Sequence, residues 1–113
     1  MINRIAVLRT ALAFATLGTA PLWAAEANVI TLTIKEHRFQ PDRIEVAAGK
    51  EFVLLIRNED ATPEEFESHD LNREKVIQGH TEAKVKVGAL KPGEYSFVGE
   101  FNEATATGVI VAK

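Results

Sequence analysis

Carboxylates and one imidazole dominate the reactive side chains of two short segments. Glu64-Glu65-Phe66-Glu67-Ser68-His69-Asp70 is the denser of the two, and Gly99-Glu100-Phe101-Asn102-Glu103 is the other. Oxygen donors with an occasional imidazole suit hard cations such as iron or manganese better than Cu(I). The chain has no cysteine among its 113 residues. No thiolate is therefore available for soft-metal binding, nucleophilic attack or redox exchange. Glu67-Ser68-His69-Asp70 contains the residue types of a hydrolytic triad, but adjacent residues on one strand cannot adopt its geometry. His37 lies in a strand-edge segment and His80 beside Gly79 in a turn, and both read as surface residues. Isolated acids on loops are ordinarily solvated, so the two acidic segments become a site only if the fold brings them together.

The elements that would position them are short strands. Val29 to Ile34 alternates, with Ile30, Leu32 and Ile34 on one face and Val29, Thr31 and Thr33 on the other; a period of two marks a half-buried strand. Ile44 and Val46 alternate with Arg43 and Glu45 before the turn Ala47-Ala48-Gly49-Lys50. Phe52 to Ile56 is continuously apolar, which predicts a central strand buried on both sides. Asn58-Glu59-Asp60 ends it, and Pro63 to Glu67 has room for a single helical turn. Val76-Ile77 is a short β-branched pair. Ala83, Val85 and Val87 alternate with Glu82, Lys84 and Lys86, and Tyr95 and Phe97 follow the Pro92-Gly93 turn. Val109 to Val111 closes the chain. Seven or eight short strands with regular turn signals predict an all-β sandwich, with Phe52, Phe66, Tyr95 and Phe97 in its core.

The first 24 residues belong to a different physical class. Arg4 and Arg9 precede an uncharged run from Thr10 through Ala25 that holds Leu12, Phe14, Leu17, Leu22 and Trp23, and Glu26 is the first acid. Basic, apolar, then small is the layout of a secretory signal peptide. The run falls short of the ~20 apolar residues that cross a bilayer comfortably. Cleavage after Ala24 is expected, with cleavage after Ala27 as the alternative, so residues 1–24 read as signal and 25–113 as one domain exported to the periplasm. Removing 1–24 takes away two arginines and no acid, which moves the net charge from −3 to −5. That acidity argues against nucleic acid and anionic membrane surfaces as partners.

Several phrases resemble exported cupredoxin domains. Phe39-Gln40-Pro41 with Ile44, Val46 and Gly49 resembles their opening, and Val53 to Asp60 the next strand with its Asn-containing end. Leu90-Lys91-Pro92-Gly93-Glu94-Tyr95-Ser96-Phe97 resembles the strand leading to the copper loop, and Gly108 to Val111 the closing strand. The resemblance covers nearly all of 25–113 and implies a Greek-key β-sandwich of the cupredoxin type with a metal loop at one end. Copper cupredoxins place a His after the Asn-containing strand and Cys, His and often Met on the last loop. Here those places map to Glu64, Glu100, Glu103 and Ala106, so a blue-copper centre is impossible.

The two acidic phrases are similar to a cysteine-free cupredoxin group associated with bacterial ferrous-iron uptake. That resemblance implies that Glu64, Glu65, Glu67, Glu100 and Glu103 meet at one end of the sandwich, with His69, Asp70 and Asn102 near by. It implies Glu64, His69, Glu100 and Glu103 as ligands of an iron or copper ion, and a His where Asn102 stands. The expected role is a periplasmic metal-handling protein beside a membrane iron permease. The competing reading is a metal-free structural or interaction module. An enzyme, a ferroxidase, ranks last because no electron acceptor is evident.

Overall fold

A computed structural model describes residues 28–113; the expected signal segment, 1–24, lies outside the described residues. Nine strands follow in order: β1 (Val29–Lys35), β2 (Arg38–Gln40), β3 (Arg43–Val46), β4 (Phe52–Asn58), β5 (Glu64–Ser68), β6 (Arg73–Ile77), β7 (Glu82–Val87), β8 (Gly93–Gly99) and β9 (Thr107–Ala112). Among the described residues the one helical element is a 3₁₀ turn, Glu100–Asn102, that continues directly from β8. The strands form two sheets, ordered β2-β1-β4-β7 and β3-β9-β8-β5-β6. β1 runs parallel to β4 and β3 parallel to β9, while the other pairs are antiparallel.

Alternation sorts the side chains as the sequence predicts in β1, β3, β7 and β8. Leu32 and Ile34, Ile44 and Val46, Val85 and Val87, and Phe97 are buried. Two segments differ from expectation. Pro63 to Glu67 is not helical, because Glu64, Phe66 and Ser68 all turn inward and form β5. Phe52 to Ile56 is central in its sheet, yet Val53 and Leu55 are only half-buried, since among the described residues no second layer covers the outer face of that sheet.

The two sheets meet through three phenylalanines. Phe39 on β2 contacts Phe66 and Phe97 edge-on, with ring centroids 6.2 and 5.0 Å away, and Phe66 and Phe97 are 5.3 Å apart. Such pairs add roughly 0.5–1.5 kcal/mol each beyond area burial. Gly108 on β9 is required there, because a Cβ would lie 2.3 Å from the Phe97 ring.

The β1–β2 hairpin turns on Glu36 and His37, whose φ values of 53° and 58° are those of a type I′ turn and normally select Asn or Gly. The Asp60 carboxylate from the loop after β4 holds it, accepting from Glu36 N at 2.8 Å and His37 N at 2.9 Å. Asn58, fully buried, shapes the same loop by donating to the Thr62 and Ile77 carbonyls and accepting from Asp60 N. The loop after β4 and the β1–β2 turn therefore close one end of the sandwich. The 3₁₀ loop joins them there, through a hydrogen bond from the Thr105 hydroxyl to the His37 carbonyl.

Candidate functional site: a buried carboxylate and the loop it holds

Glu64 begins β5 and is 1% exposed. Its position follows from register. Phe66 pairs with Gly99 across the β5–β8 ladder, so the start of β5 lies beside the 3₁₀ turn. The Oε1 atom accepts from Glu65 N at 2.9 Å and Phe101 N at 2.8 Å, and Oε2 accepts from Asn102 Nδ2 at 2.8 Å. A buried carboxylate without partners is unstable by several kcal/mol; three N–H donors offset that cost here. Gly99 completes the cradle. A Cβ at that position would sit 2.7 Å from both Cδ and Oε2 of Glu64, and 2.7 Å from the Ala106 Cβ.

The loop also closes on itself. The Asn102 carbonyl accepts from Ala106 N at 2.8 Å and Thr105 N at 3.1 Å, and the Ala106 carbonyl accepts from Gly99 N at 2.8 Å. Glu64 thus ties β5 to a preformed loop through one main-chain N–H and one side-chain amide of that loop. Asn102, read from sequence as a departure from the ligand pattern, is the partner that donates to Oε2.

Glu100 faces the other way. It is exposed, and its carboxyl stands beside Glu65 and Glu67 on the outer face of the five-stranded sheet. Burial against the sheet, then the Glu100 charge and hydrogen bond, raise the Glu65 carboxyl above its ordinary value. The same causes raise Glu67, eased by the His69 imidazole, whose Nε2 lies 3.7 Å from Glu67 Oε1. Glu74 is the cross-strand neighbour of Glu67 and adds a like charge.

The four expected ligands therefore do not share one centre. Glu64 points inward and Glu100 outward. His69 follows the far end of β5, on the order of 16 Å along the strand from Glu64 at about 3.3 Å per residue, with its side chain 91% exposed. Glu103 follows the 3₁₀ turn and is exposed. Among the described residues no three His, Cys, Asp or Glu side chains converge closely enough to hold a metal ion. Asp70 serves the scaffold: its Oδ2 accepts from Ser96 N at 2.9 Å and Ser96 Oγ at 3.1 Å, which hold its carboxyl below the ordinary value.

The copper set of a blue-copper protein does not fit these residues. There is no cysteine, and the Glu64 carboxylate already accepts three hydrogen bonds from protein N–H groups. Sequence reading found Glu64 but not its donors. The alternation of Glu64, Phe66 and Ser68 was the available signal.

A family model described as a cupredoxin-like domain matches residues 5–112. An uncharacterized protein of Rickettsia prowazekii (strain Madrid E) is 44% identical over 82 residues, covering 73% of this chain and 66% of that protein, so the chain spans just under two thirds of the relative's length. Among solved structures, auracyanin A, a blue copper protein of Chloroflexus aurantiacus, superposes with a TM-score of 0.66 at 15% identity, covering 75% of this chain and 98% of that one. The metal-binding domain of the Cu(I)-exporting P-type ATPase of Streptococcus pneumoniae D39 gives 0.64 at 11% identity, covering 75% and 84%. At such identities the likeness concerns the fold alone.

Proposed function

The chain belongs to the cupredoxin-like domain family, and from that premise we propose that it is an exported binding module of a metal-uptake system in which a protein carboxylate, not copper, organises the loop end. One observation carries the proposal. The buried Glu64 carboxylate, which the sequence resemblance aligns with a copper ligand, has its oxygens engaged by Glu65 N, Phe101 N and Asn102 Nδ2. A metal ion normally fixes that loop by coordination; hydrogen bonds do so here. The module then acts by docking, and the resemblance of its acidic phrases to the iron-uptake group makes a periplasmic face of an iron permease the proposed partner.

Calorimetric titration of the protein purified after expression of the full chain, with Fe(II) under anaerobic conditions, Cu(II) and Mn(II), tests this. The expected result is no stoichiometric binding and a thermal midpoint indifferent to chelator. One-equivalent binding that disappears in Glu64→Gln would overturn the proposal in favour of a metal-handling protein with Glu64 as ligand.

A further inference from the structure

Phe101 is the most exposed large hydrophobic residue among the described residues, at 52%. Its own N–H is fixed by the buried Glu64 carboxylate at 2.8 Å, so the loop holds this ring outward on a rigid backbone. Its chain neighbour Glu100 stands beside Glu65, and the cross-strand partner of Glu65 is Val76, itself 42% exposed. Two of the three exposed large hydrophobics thus adjoin this group of carboxylates, Val76 by strand register and Phe101 as the chain neighbour of Glu100, with Glu67 and Glu74 paired in the next row.

Among the described residues neither Lys nor Arg forms an ion pair with Glu65, Glu74 or Glu100; the ion pairs there are Arg57–Glu82, His69–Glu67 and Lys113–Glu45. Arg73, the nearest arginine in sequence, is turned to the seam between the sheets, where its guanidinium donates to the Lys86 and Asn72 carbonyls. Grouped carboxylates disfavour one another's ionisation; burial first, and then the Glu100 charge, raise the Glu65 and Glu67 carboxyls. A cationic surface would relieve that repulsion. Aromatic anchors on rigid backbone are also the residues that dominate docking energetics.

We propose that Phe101 and Val76, with the carboxylates of Glu65, Glu67, Glu74 and Glu100, form the docking surface for a partner protein that presents an apolar side chain ringed by Lys or Arg. This rests on the binding-module reading above and names its surface. The partner's apolar group seats against Phe101, while its cations supply the compensation that Glu65, Glu74 and Glu100 lack among the described residues. Val29, 48% exposed at the start of β1, provides a control residue outside this surface.

The test uses the protein purified after full-chain expression and an amphipathic peptide of alternating Lys and Leu as probe, followed by backbone amide shifts in NMR and by calorimetry. Shifts centred on β5, β6 and the 3₁₀ turn are expected. Affinity should fall about tenfold or more in Phe101→Ala, the scale of an interface hot spot, fall comparably in Glu65→Gln/Glu100→Gln, and stay unchanged in Val29→Ala. Shifts spread over all acidic surfaces, equal affinity of Phe101→Ala and wild type, or a peptide displaced by micromolar Mn(II) would each overturn the docking surface. The metal titration of Glu64→Gln is independent of these arms. Metal-indifferent protein that ignores the peptide therefore sinks the surface and leaves the binding-module reading standing.

Discussion

Burying a carboxylate in a domain with net negative charge is unfavourable unless fixed dipoles replace water. Glu64 meets that condition through three N–H groups, and the residues supplying or admitting them become predictable. Glu64→Ala should cost about 3–5 kcal/mol in urea unfolding, since it leaves a cavity and strips the acceptor from three donors at once. Glu64→Gln keeps the shape but aims an NH₂ at a donor, for about 1–3 kcal/mol. Asn102→Ala should cost a similar 1–3 kcal/mol. Asn102→Asp should cost more at neutral pH, because two carboxylates then face each other, and should recover on acidification when protonation removes the repulsion. A fully tolerated Asn102→Asp at neutral pH would mean that Oε2 does not depend on this donor. Gly99→Ala tests the cradle from the other side and should cost about 1–3 kcal/mol, because neither Glu64 nor Ala106 has room to retreat.

At the scale of elements, what could be read from sequence divides along a physical line. Strands whose buried residues are apolar announce themselves by alternation, which is why Leu32, Ile34, Val85, Val87 and Phe97 were placed correctly. β5 did not, because two of its three inward positions are Glu64 and Ser68, and acids and hydroxyls ordinarily signal the outside. Ser68 is satisfied by donating to the Ser96 carbonyl and accepting from Leu71 N, partners that sequence does not connect to it. The β1–β2 hairpin was hidden for the same reason. Its left-handed turn lacks glycine and relies on Asp60, 24 and 23 residues away. Asp60→Ala should therefore lower stability by about 1–3 kcal/mol, the cost of two unmade hydrogen bonds, although Asp60 lies in a surface loop. His37→Gly in that background should restore part of the loss, since glycine adopts φ near 58° without the ~1–2 kcal/mol left-handed cost. If His37→Gly destabilises the Asp60→Ala variant further, the turn conformation is not what Asp60 maintains.

For the molecule as a whole, the outer acidic face and the Asp70 contact set opposite dependences on pH. Asp70 is held below its ordinary 3.8 by Ser96. It therefore contributes stability that is complete above that value and is lost as pH falls through the folded-state value. Glu65 and Glu67 are raised above 4.5 by burial and by Glu100. The folded state binds their protons more tightly, so their contribution falls as pH rises from 4.5 through the folded-state values and remains unfavourable at neutrality. Thermal unfolding across pH 3 to 8 separates the two. Glu67→Gln should raise the midpoint at pH 7 and lose that gain towards pH 4, where the wild-type carboxyl is itself protonated. Asp70→Asn should lower the midpoint at pH 7 and converge with wild type as pH falls from 3.8 through the folded-state value. Salt discriminates further. Screening shortens to about 3 Å at 1 M, so the Glu67→Gln gain should shrink there if like-charge repulsion carries it. A gain unchanged by salt would assign the effect to burial alone and remove the electrostatic support for a cationic partner. A gain that shrinks with salt, beside weaker peptide binding by Glu65→Gln/Glu100→Gln, would show a face that gives up folding stability for the charge its partner needs.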